Sequence, residues 1–234
     1  MQLRFCLSAV LLCLPALAKS PLEPVLVNNT STVEFASGGT IRILNATGQL
    51  DVEGWDQPQV EITVIKSTYR GASAKEQENG KHELDRLKVT TDRKSPSELV
   101  ISTAYPGRSL TRPFRGMTDM TLQYHIKVPN DAHLVIRHDS GDVRLDNLTG
   151  EIDAESHSGD MVALLPSAGH YEIDARCSVG GVYSDFAGTH HTRHLIGETF
   201  VQEASTPVTK VKLRVGIGGI QVLKITPAAV VPHS

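Results

Sequence analysis

The sequence predicts an all-β protein in which short strands, punctuated by glycine, stack in the manner of a β-solenoid around one short helical insert. Three observations support this prediction. A glycine recurs about every nine residues, apolar residues occupy the second and fourth places after it, and one charged stretch has the composition of a helix. An antiparallel β-sandwich or meander is the alternative, because periodicity does not separate strands that stack from strands that fold back.

The repeat is clearest in residues 140–166, SGDVRLDNLTGEIDAESHSGDMVALLP. Apolar residues at alternate positions are the pattern of a strand with one buried face. A unit of this length leaves about five or six residues for the strand and a short turn in which glycine supplies a positive φ. Eight copies begin at Gly39, Gly48, Gly141, Gly150, Gly159, Gly169, Gly180 and Gly218.

Other segments lie between and after these copies. Alternating apolar and polar residues predict further strands at 59–69, 87–91, 98–104, 120–128 and 208–215. Residues 72–87, ASAKEQENGKHELDRL, predict the helix, and residues 105–117, YPGRSLTRPFRGM, predict an exposed loop because they are rich in Pro, Gly and Arg. We expect a single domain over residues 19–234, with a helical and loop insert at about 70–118.

The first residues, MQLRFCLSAVLLCLPALAKS, have the layout of a secretory signal peptide. Arg4 precedes an apolar run that is too short to span a bilayer, and Ala16-Leu17-Ala18 supplies a small-x-small cleavage site. We predict a signal peptide over residues 1–18; an uncleaved N-terminal anchor is the alternative. An exported location, in the periplasm or at the cell surface, follows from this prediction.

Composition narrows the classes of function. The net charge of −3 argues against a nucleic-acid surface, which needs clustered Lys and Arg. It becomes −4 after cleavage because Arg4 is the only charged residue removed. Cleavage also removes Cys6 and Cys13, so Cys177 remains without an internal disulfide partner. Its alternating surroundings, IDARCSV, predict a buried core cysteine. No later segment approaches transmembrane length.

The histidines are the first candidates for a metal site. His190, His191 and His194 fall within THHTRH, with Asp185 nearby. In a strand, His190 and His191 point to opposite faces, so an exposed cluster is the preferred interpretation and a divalent-metal site the alternative. His125, His133, His138 and His157 are interpreted as half-exposed strand positions.

Acidic residues give two further candidates. Asp142, Glu151 and Asp160 line one edge if the repeats stack, but the GGxGxD turns of calcium-binding β-rolls are missing, which favours a solvated acidic face. Asp153 and Glu155 share a strand face at a spacing compatible with retaining glycosidases, yet their polar neighbours argue against a raised pKa. We therefore predict no catalytic, cofactor-binding or metal-binding residues, and no cofactor.

Three stretches in this order resemble a known family: TGQLDVEGW at 47–55, KVPNDAHLVIR at 127–137, and the SGDV and TGEI repeats at 140–152. They are similar to the bacterial putative adhesins, a family of exported β-strand-repeat proteins of unknown function also called DUF4097. The resemblance extends over nearly all of the chain after the signal peptide. It implies a β-solenoid-like or all-β fold and a location in the bacterial envelope, and it brings no catalytic residues.

We expect from these observations a non-catalytic interaction protein of the cell envelope or surface. Its partner would be an envelope or surface protein or a polysaccharide, because stacked repeats suit long or repetitive partners and open strand edges permit strand addition. A periplasmic scaffold or sensor accessory in envelope-stress signalling is the first alternative. A carbohydrate-active enzyme built on a solenoid is the second.

Overall fold

The computed structural model describes residues 25–68, 74–104, 120–193, 196–204 and 208–226. These ranges contain one helix, α1 (Ala74–Arg86), and seventeen strands. The strands are β1 (Val25–Glu34), β2 (Thr40–Thr47), β3 (Gln49–Trp55), β4 (Gln59–Thr68), β5 (Lys88–Ser95), β6 (Glu98–Ala104), β7 (Met120–Pro129), β8 (His133–Ser140), β9 (Val143–Asp146), β10 (Ile152–Ser158), β11 (Met161–Pro166), β12 (Tyr171–Val179), β13 (Val182–Ser184), β14 (Thr189–Arg193), β15 (Gly197–Gln202), β16 (Thr209–Ile217) and β17 (Ile220–Ile225).

The strands form two sheets. Sheet 1 has eight strands in the order β1-β4-β7-β3-β9-β11-β17-β13, and sheet 2 has nine in the order β14-β15-β12-β16-β10-β8-β2-β6-β5. Six consecutive strands pair in parallel in each sheet, from β7 to β13 in sheet 1 and from β12 to β6 in sheet 2. The remaining strands pair antiparallel. The apolar faces of both sheets contribute to one hydrophobic core.

Ten of these parallel strands, all but β6 and β7, form five coils, each made of one strand of sheet 2, a tight turn and one strand of sheet 1. In chain order the coils are β2–β3, β8–β9, β10–β11, β12–β13 and β16–β17. The last coil in the chain does not lie at the end of the stack. It lies between β10–β11 and β12–β13. The two C-terminal strands, β16 and β17, are therefore inserted between strands that precede them in the chain.

Most outward-facing charges favour this position of β16. Its outward charged residues are basic: Lys210, Lys212 and Arg214. Acidic residues lie opposite them on the flanking strands, namely Glu172 and Asp174 on β12, and Asp153 and Glu155 on β10. Without β16 the two acidic strands would be neighbours, and like charges on facing strands are destabilising.

The repeat positions supply much of the core. The apolar residues at the second and fourth places after each repeat glycine are buried, from Ile41 and Ile43 near the N-terminus to Ile220 and Val222 near the C-terminus. Because side chains alternate across a strand, this spacing directs every second residue inward. The largest fully buried side chains include Tyr124, Tyr171 and Phe200.

Helix α1 connects sheet 1 to sheet 2 and packs near β1 and β4. Leu84 and Leu87 are buried there. The ammonium of Lys66 on β4 donates to the carbonyl of Leu87 at 2.6 Å and lies 3.4 Å from that of Leu84. A cation is favourable at the C-terminal end of a helix, where carbonyls lack partners. Burial lowers the pKa of Lys66, and the nearby Asp85 opposes that shift.

The predicted all-β class and the single short helix are confirmed, and the stacked parallel strands match the solenoid-like arrangement rather than the antiparallel alternative. The strand predicted at 87–91 continues to Ser95, and β1, β14 and β15 were not predicted as strands. The proposed signal peptide and the loop at 105–117 lie outside the described residues. No helix within the described ranges is long and apolar enough to cross a membrane.

Candidate functional site

One edge of the stack consists of five glycine turns that link sheet 2 to sheet 1. We name it the glycine edge, and its residues are Gly48, Gly141, Gly159, Gly180 and Gly218, all with positive φ. Four of the five turns donate a backbone hydrogen bond to the next coil, as in the bond from the Gly159 nitrogen to the Ile217 oxygen at 2.9 Å, and the fifth, Gly180, donates to the Ile196 oxygen beside β15. A Cβ built on Gly159 would lie 2.1 Å from the carbonyl oxygen of Gly141. Backbone contact between coils therefore requires glycine here.

Two of the predicted acidic residues lie on this edge. An Asp142 carboxylate oxygen accepts the backbone N–H of Asp160 at 3.0 Å, and an Asp160 oxygen accepts that of Gly219 at 2.7 Å. Glu151 lies near the opposite edge, 4.0 Å from the His133 ring. The structure thus does not bring the three acids together, and two of them link successive coils.

The predicted histidine cluster is divided between the faces of β14. His190 is hydrogen-bonded to Glu198 at 2.8 Å and packs against the ring of Phe200 at 4.8 Å between centroids. His191 follows it in the strand and points to the other face. His194 lies outside the described residues, and within the described ones no three potential ligands are grouped to hold a metal ion.

The residues around that pair form a structural link. Glu198 also accepts the backbone N–H of Val182 at 2.9 Å, and this hydrogen bond, assisted by His190, lowers the pKa of Glu198. Asp185 accepts the Tyr183 hydroxyl at 3.0 Å and is engaged with β17 rather than with the histidines. Glu198 therefore ties β15 to β13.

Two potentially reactive side chains, His138 on β8 and Cys177 on β12, are buried and so cannot contact a partner at the surface. His138, interpreted from the sequence as half exposed, is 4% exposed, and burial lowers its pKa. His138 lies on the inward-facing side of β8, and its register partners on the neighbouring strands are Ala46 and Ser156. Cys177 is buried, its thiol donates to the Gly218 carbonyl at 3.0 Å, and burial raises its pKa.

The paired carboxylates of β10 are held by an arginine. The Arg137 guanidinium makes a two-pronged contact with Asp153, at 3.2 and 3.3 Å, and its Nε lies 3.6 Å from Glu155. A glycosidase acid needs a carboxyl kept protonated in an apolar environment. Both carboxylates instead face a cation on a half-exposed strand surface, which favours binding over acid–base chemistry.

A groove of about 440 Å³ lies over these strands on sheet 2. We name it the arginine groove; its outward lining includes Arg137, Arg176, Arg214, Glu155, His157, Ser178 and Gly216. Gly216 has no side chain, so β16 leaves a depression between His157 on β10 and Ser178 on β12. The charged side chains of the lining are three arginines and one glutamate, and two of the arginines are paired with Asp153 and Asp174.

The arginines differ in how they are held. Arg176 donates to both oxygens of Asp174, at 2.6 and 2.8 Å. Among the described residues, the Arg214 guanidinium has one carboxylate contact. Its Nη2 lies 3.7 Å from Asp174 Oδ2, which also accepts a hydrogen bond from Arg176. One carboxylate therefore serves two guanidinium groups, and Arg214 keeps most of its donors available.

The arginine groove was not predicted from the sequence, because Arg137, Arg176 and Arg214 are far apart in the chain. The alternation Lys210-x-Lys212-x-Arg214 in TKVKLRV was the available signal. It indicates a basic strand face, but not the strands beside it.

The comparisons concern the fold. No protein-family model and no curated protein matches the chain. The crystal structure of a "putative cell adhesion protein" from Clostridium sporogenes ATCC 15579 is similar over 86% of this chain and 100% of that one, with a TM-score of 0.55 and 11% identity. A "putative adhesin" from Bacteroides fragilis NCTC 9343 matches over 85% and 97%, with a TM-score of 0.30 and 9% identity. The chain thus shares the overall fold of the first protein.

Proposed function

We propose that this chain is an exported, non-catalytic interaction protein of the bacterial cell envelope or surface, of the putative adhesin type (DUF4097). It binds its partner, an envelope or surface protein or a polysaccharide, through the outer face of sheet 2. Residues 1–18 direct export, and residues 19–234 form one domain.

The observation that carries this proposal is the repeated polar face of sheet 2. Parallel strands in register place equivalent outward residues in rows across successive coils, and the arginine groove lies in this face. A repetitive surface suits a long or repetitive partner. The fold shared with the putative cell adhesion protein of Clostridium sporogenes supports the same assignment.

Two features favour binding over catalysis. Asp153 and Glu155, the two carboxylates whose spacing is compatible with a glycosidase, are both paired with Arg137. The groove is open and its charged lining is mainly basic. Such a surface positions a ligand through ion pairs and hydrogen bonds, whereas general acid catalysis needs a desolvated carboxyl.

The test is protease shaving of intact cells that express the full chain, followed by fractionation and immunodetection. We expect a processed protein that the protease removes from intact cells or that appears in the periplasmic fraction. Leu11→Arg with Leu12→Arg, which interrupts the apolar run, is the matched control and should leave the precursor in the cytoplasm.

The outcomes separate the alternatives. Removal from intact cells supports surface adhesion. Protection until the outer membrane is breached contradicts adhesion and supports a periplasmic scaffold or sensor accessory. An unprocessed cytoplasmic protein, identical to the control, overturns export altogether.

A further inference from the structure

The charges on the outer face of sheet 2 follow a rule with one exception. On β12, β16 and β10, the register pairs Glu172 with Lys210, Asp174 with Lys212, Asp153 with Lys212, and Glu155 with Arg214, all of opposite sign. The fifth charged pair, Arg176 with Arg214, joins two cations. Like charges on facing strands are destabilising, and departures from a sheet's own pattern are expected where a site is built.

The unlike environments of the two arginines point to a ligand that bridges them. Asp174 accepts both hydrogen bonds from Arg176 and lies only at 3.7 Å from Arg214. Each side chain is partly withdrawn from water, with 47% and 39% exposure. A guanidinium fork with free donors matches the geometry of a carboxylate, sulfate or phosphate group.

The surroundings complete a compact site. The next outward position on β16 is Gly216, which leaves room beside the two guanidinium groups. Ser178 supplies a hydroxyl donor and His157 an imidazole at the rim, and neither side chain has a hydrogen-bond partner among the described residues. On the other side Glu155 lies next to Arg214, so a second anionic group cannot follow directly along the stack.

We infer that Arg214 and Arg176, with Ser178 and His157, bind a single oxyanion group: a sulfate, phosphate or carboxylate of the partner. This deepens the proposed function, on which it rests, by giving the chemical class recognised on sheet 2. The anion offsets the repulsion between the two arginines and takes the donors that Asp174 leaves unused. Glu155 limits the site to isolated anionic groups and disfavours densely charged polymers.

The first experiment is calorimetric titration of the purified protein with sodium sulfate, phosphate and acetate at pH 7, with ionic strength held constant by chloride. We expect saturable binding of at least one of these anions. Arg214→Gln should weaken it about tenfold, the usual effect of losing one charge-assisted fork. Arg214→Lys, which keeps the charge, should weaken it less.

Two further variants guard against misfolding and against a general charge effect. Ser178→Ala removes a hydroxyl without changing charge and should weaken binding two- to threefold, at about the size of one hydrogen bond. Arg42→Gln lies on the same outer face, where Arg42 pairs with Glu98 at 2.8 Å, and should leave affinity unchanged. Circular dichroism and thermal unfolding establish that each variant is folded.

A second arm identifies the source of the anion. Sparsely sulfated dextran, highly sulfated dextran and neutral dextran are compared by surface binding. Tighter binding of the sparsely sulfated polymer than of free sulfate, lost in Arg214→Gln, supports a polysaccharide ligand. Equal affinity per sulfate supports a small soluble anion, and both results support the site.

Two results overturn the inference: no binding of any of the three anions, or equal loss of binding in Arg214→Gln and Arg42→Gln, which would indicate attraction to charge in general. Neither result bears on export, which the shaving experiment tests by itself. A cytoplasmic location with intact anion binding would conversely remove the proposed function and leave the site.

Discussion

The two edges of the coils follow different rules. On the glycine edge, the connections within the five coils are short turns, each with one glycine of positive φ. On the opposite edge, the connections range from the few residues between β9 and β10 to the long excursion from β3 to β8, which includes α1. Within the five coils, long connections occur only at the opposite edge.

The physical difference is backbone contact. Successive turns of the glycine edge lie against one another, so that an added Cβ at Gly141, Gly159, Gly180 or Gly218 would meet the carbonyl oxygen of a neighbouring glycine. A close-packed backbone column has no room for atoms or extra residues. The opposite edge faces water, where loops are tolerated at small entropic cost.

An insertion should have the largest effect. We expect Gly-Ser-Gly-Ser placed between Ser158 and Gly159 to abolish the folded state, because it interrupts the stacked turns at the centre of the column. The same insertion between Ser167 and Ala168, on the opposite edge, should cost about 1 kcal/mol or less. Far-ultraviolet circular dichroism and urea unfolding measure both; equal effects would contradict the comparison.

Gly159→Ala should be the next most damaging change. Its positive φ costs an L-residue about 1–2 kcal/mol, and the clash with Gly141 adds about 1–3 kcal/mol. We expect a loss of about 3 kcal/mol in the free energy of unfolding. Gly181→Ala is the matched control, because its Cβ would meet only a Glu198 oxygen at 3.5 Å. Urea denaturation measures both variants, and an equal loss in the free energy of unfolding for the two would refute this explanation.

Asp160→Ala should cost less, about 1–2 kcal/mol, because it removes the carboxylate that accepts the Gly219 N–H across the glycine edge. Glu53→Ala, exposed on β3, should stay within about 0.5 kcal/mol. Thermal unfolding is the measurement. A loss as small as that of the control would mean that water replaces the Asp160 carboxylate without cost.

The smallest expected effect is the pH dependence of the free energy of unfolding, which we assign to His138 near the C-terminal end of β8. Burial lowers the pKa of His138 in the folded state, so the unfolded chain binds a proton more readily. The free energy of unfolding should therefore fall as the pH decreases below about 6.5, the usual pKa of histidine. Urea titrations from pH 7.5 to 5 measure this fall.

His138→Leu should reduce that pH dependence, and His133→Leu, at the half-buried start of β8 near the opposite edge, is the matched control. The comparison is one of slopes, so a loss of stability from the substitution itself does not obscure it. An unchanged slope in His138→Leu would assign the pH dependence to other groups.

The sequence predicted much of the fold and little of the site. Strand positions, inward faces and turn glycines were accessible because each depends on neighbours within one unit, as the burial of Ile152 and Ala154 after Gly150 illustrates. The histidine cluster and the acidic residues were reasonable candidates by spacing. Their partners proved to be Glu198, Phe200 and backbone N–H groups, which spacing does not reveal.

By itself, then, the sequence determined an all-β chain of short strands with one helix, because side-chain alternation and the φ of glycine are local properties. Only the tertiary structure decided the order of the coils, since the neighbours of β16 are the distant strands β10 and β12. That pairing places Arg214 beside Arg176 and creates the arginine groove. A site assembled from strands that are distant in the chain forms only when those strands pair.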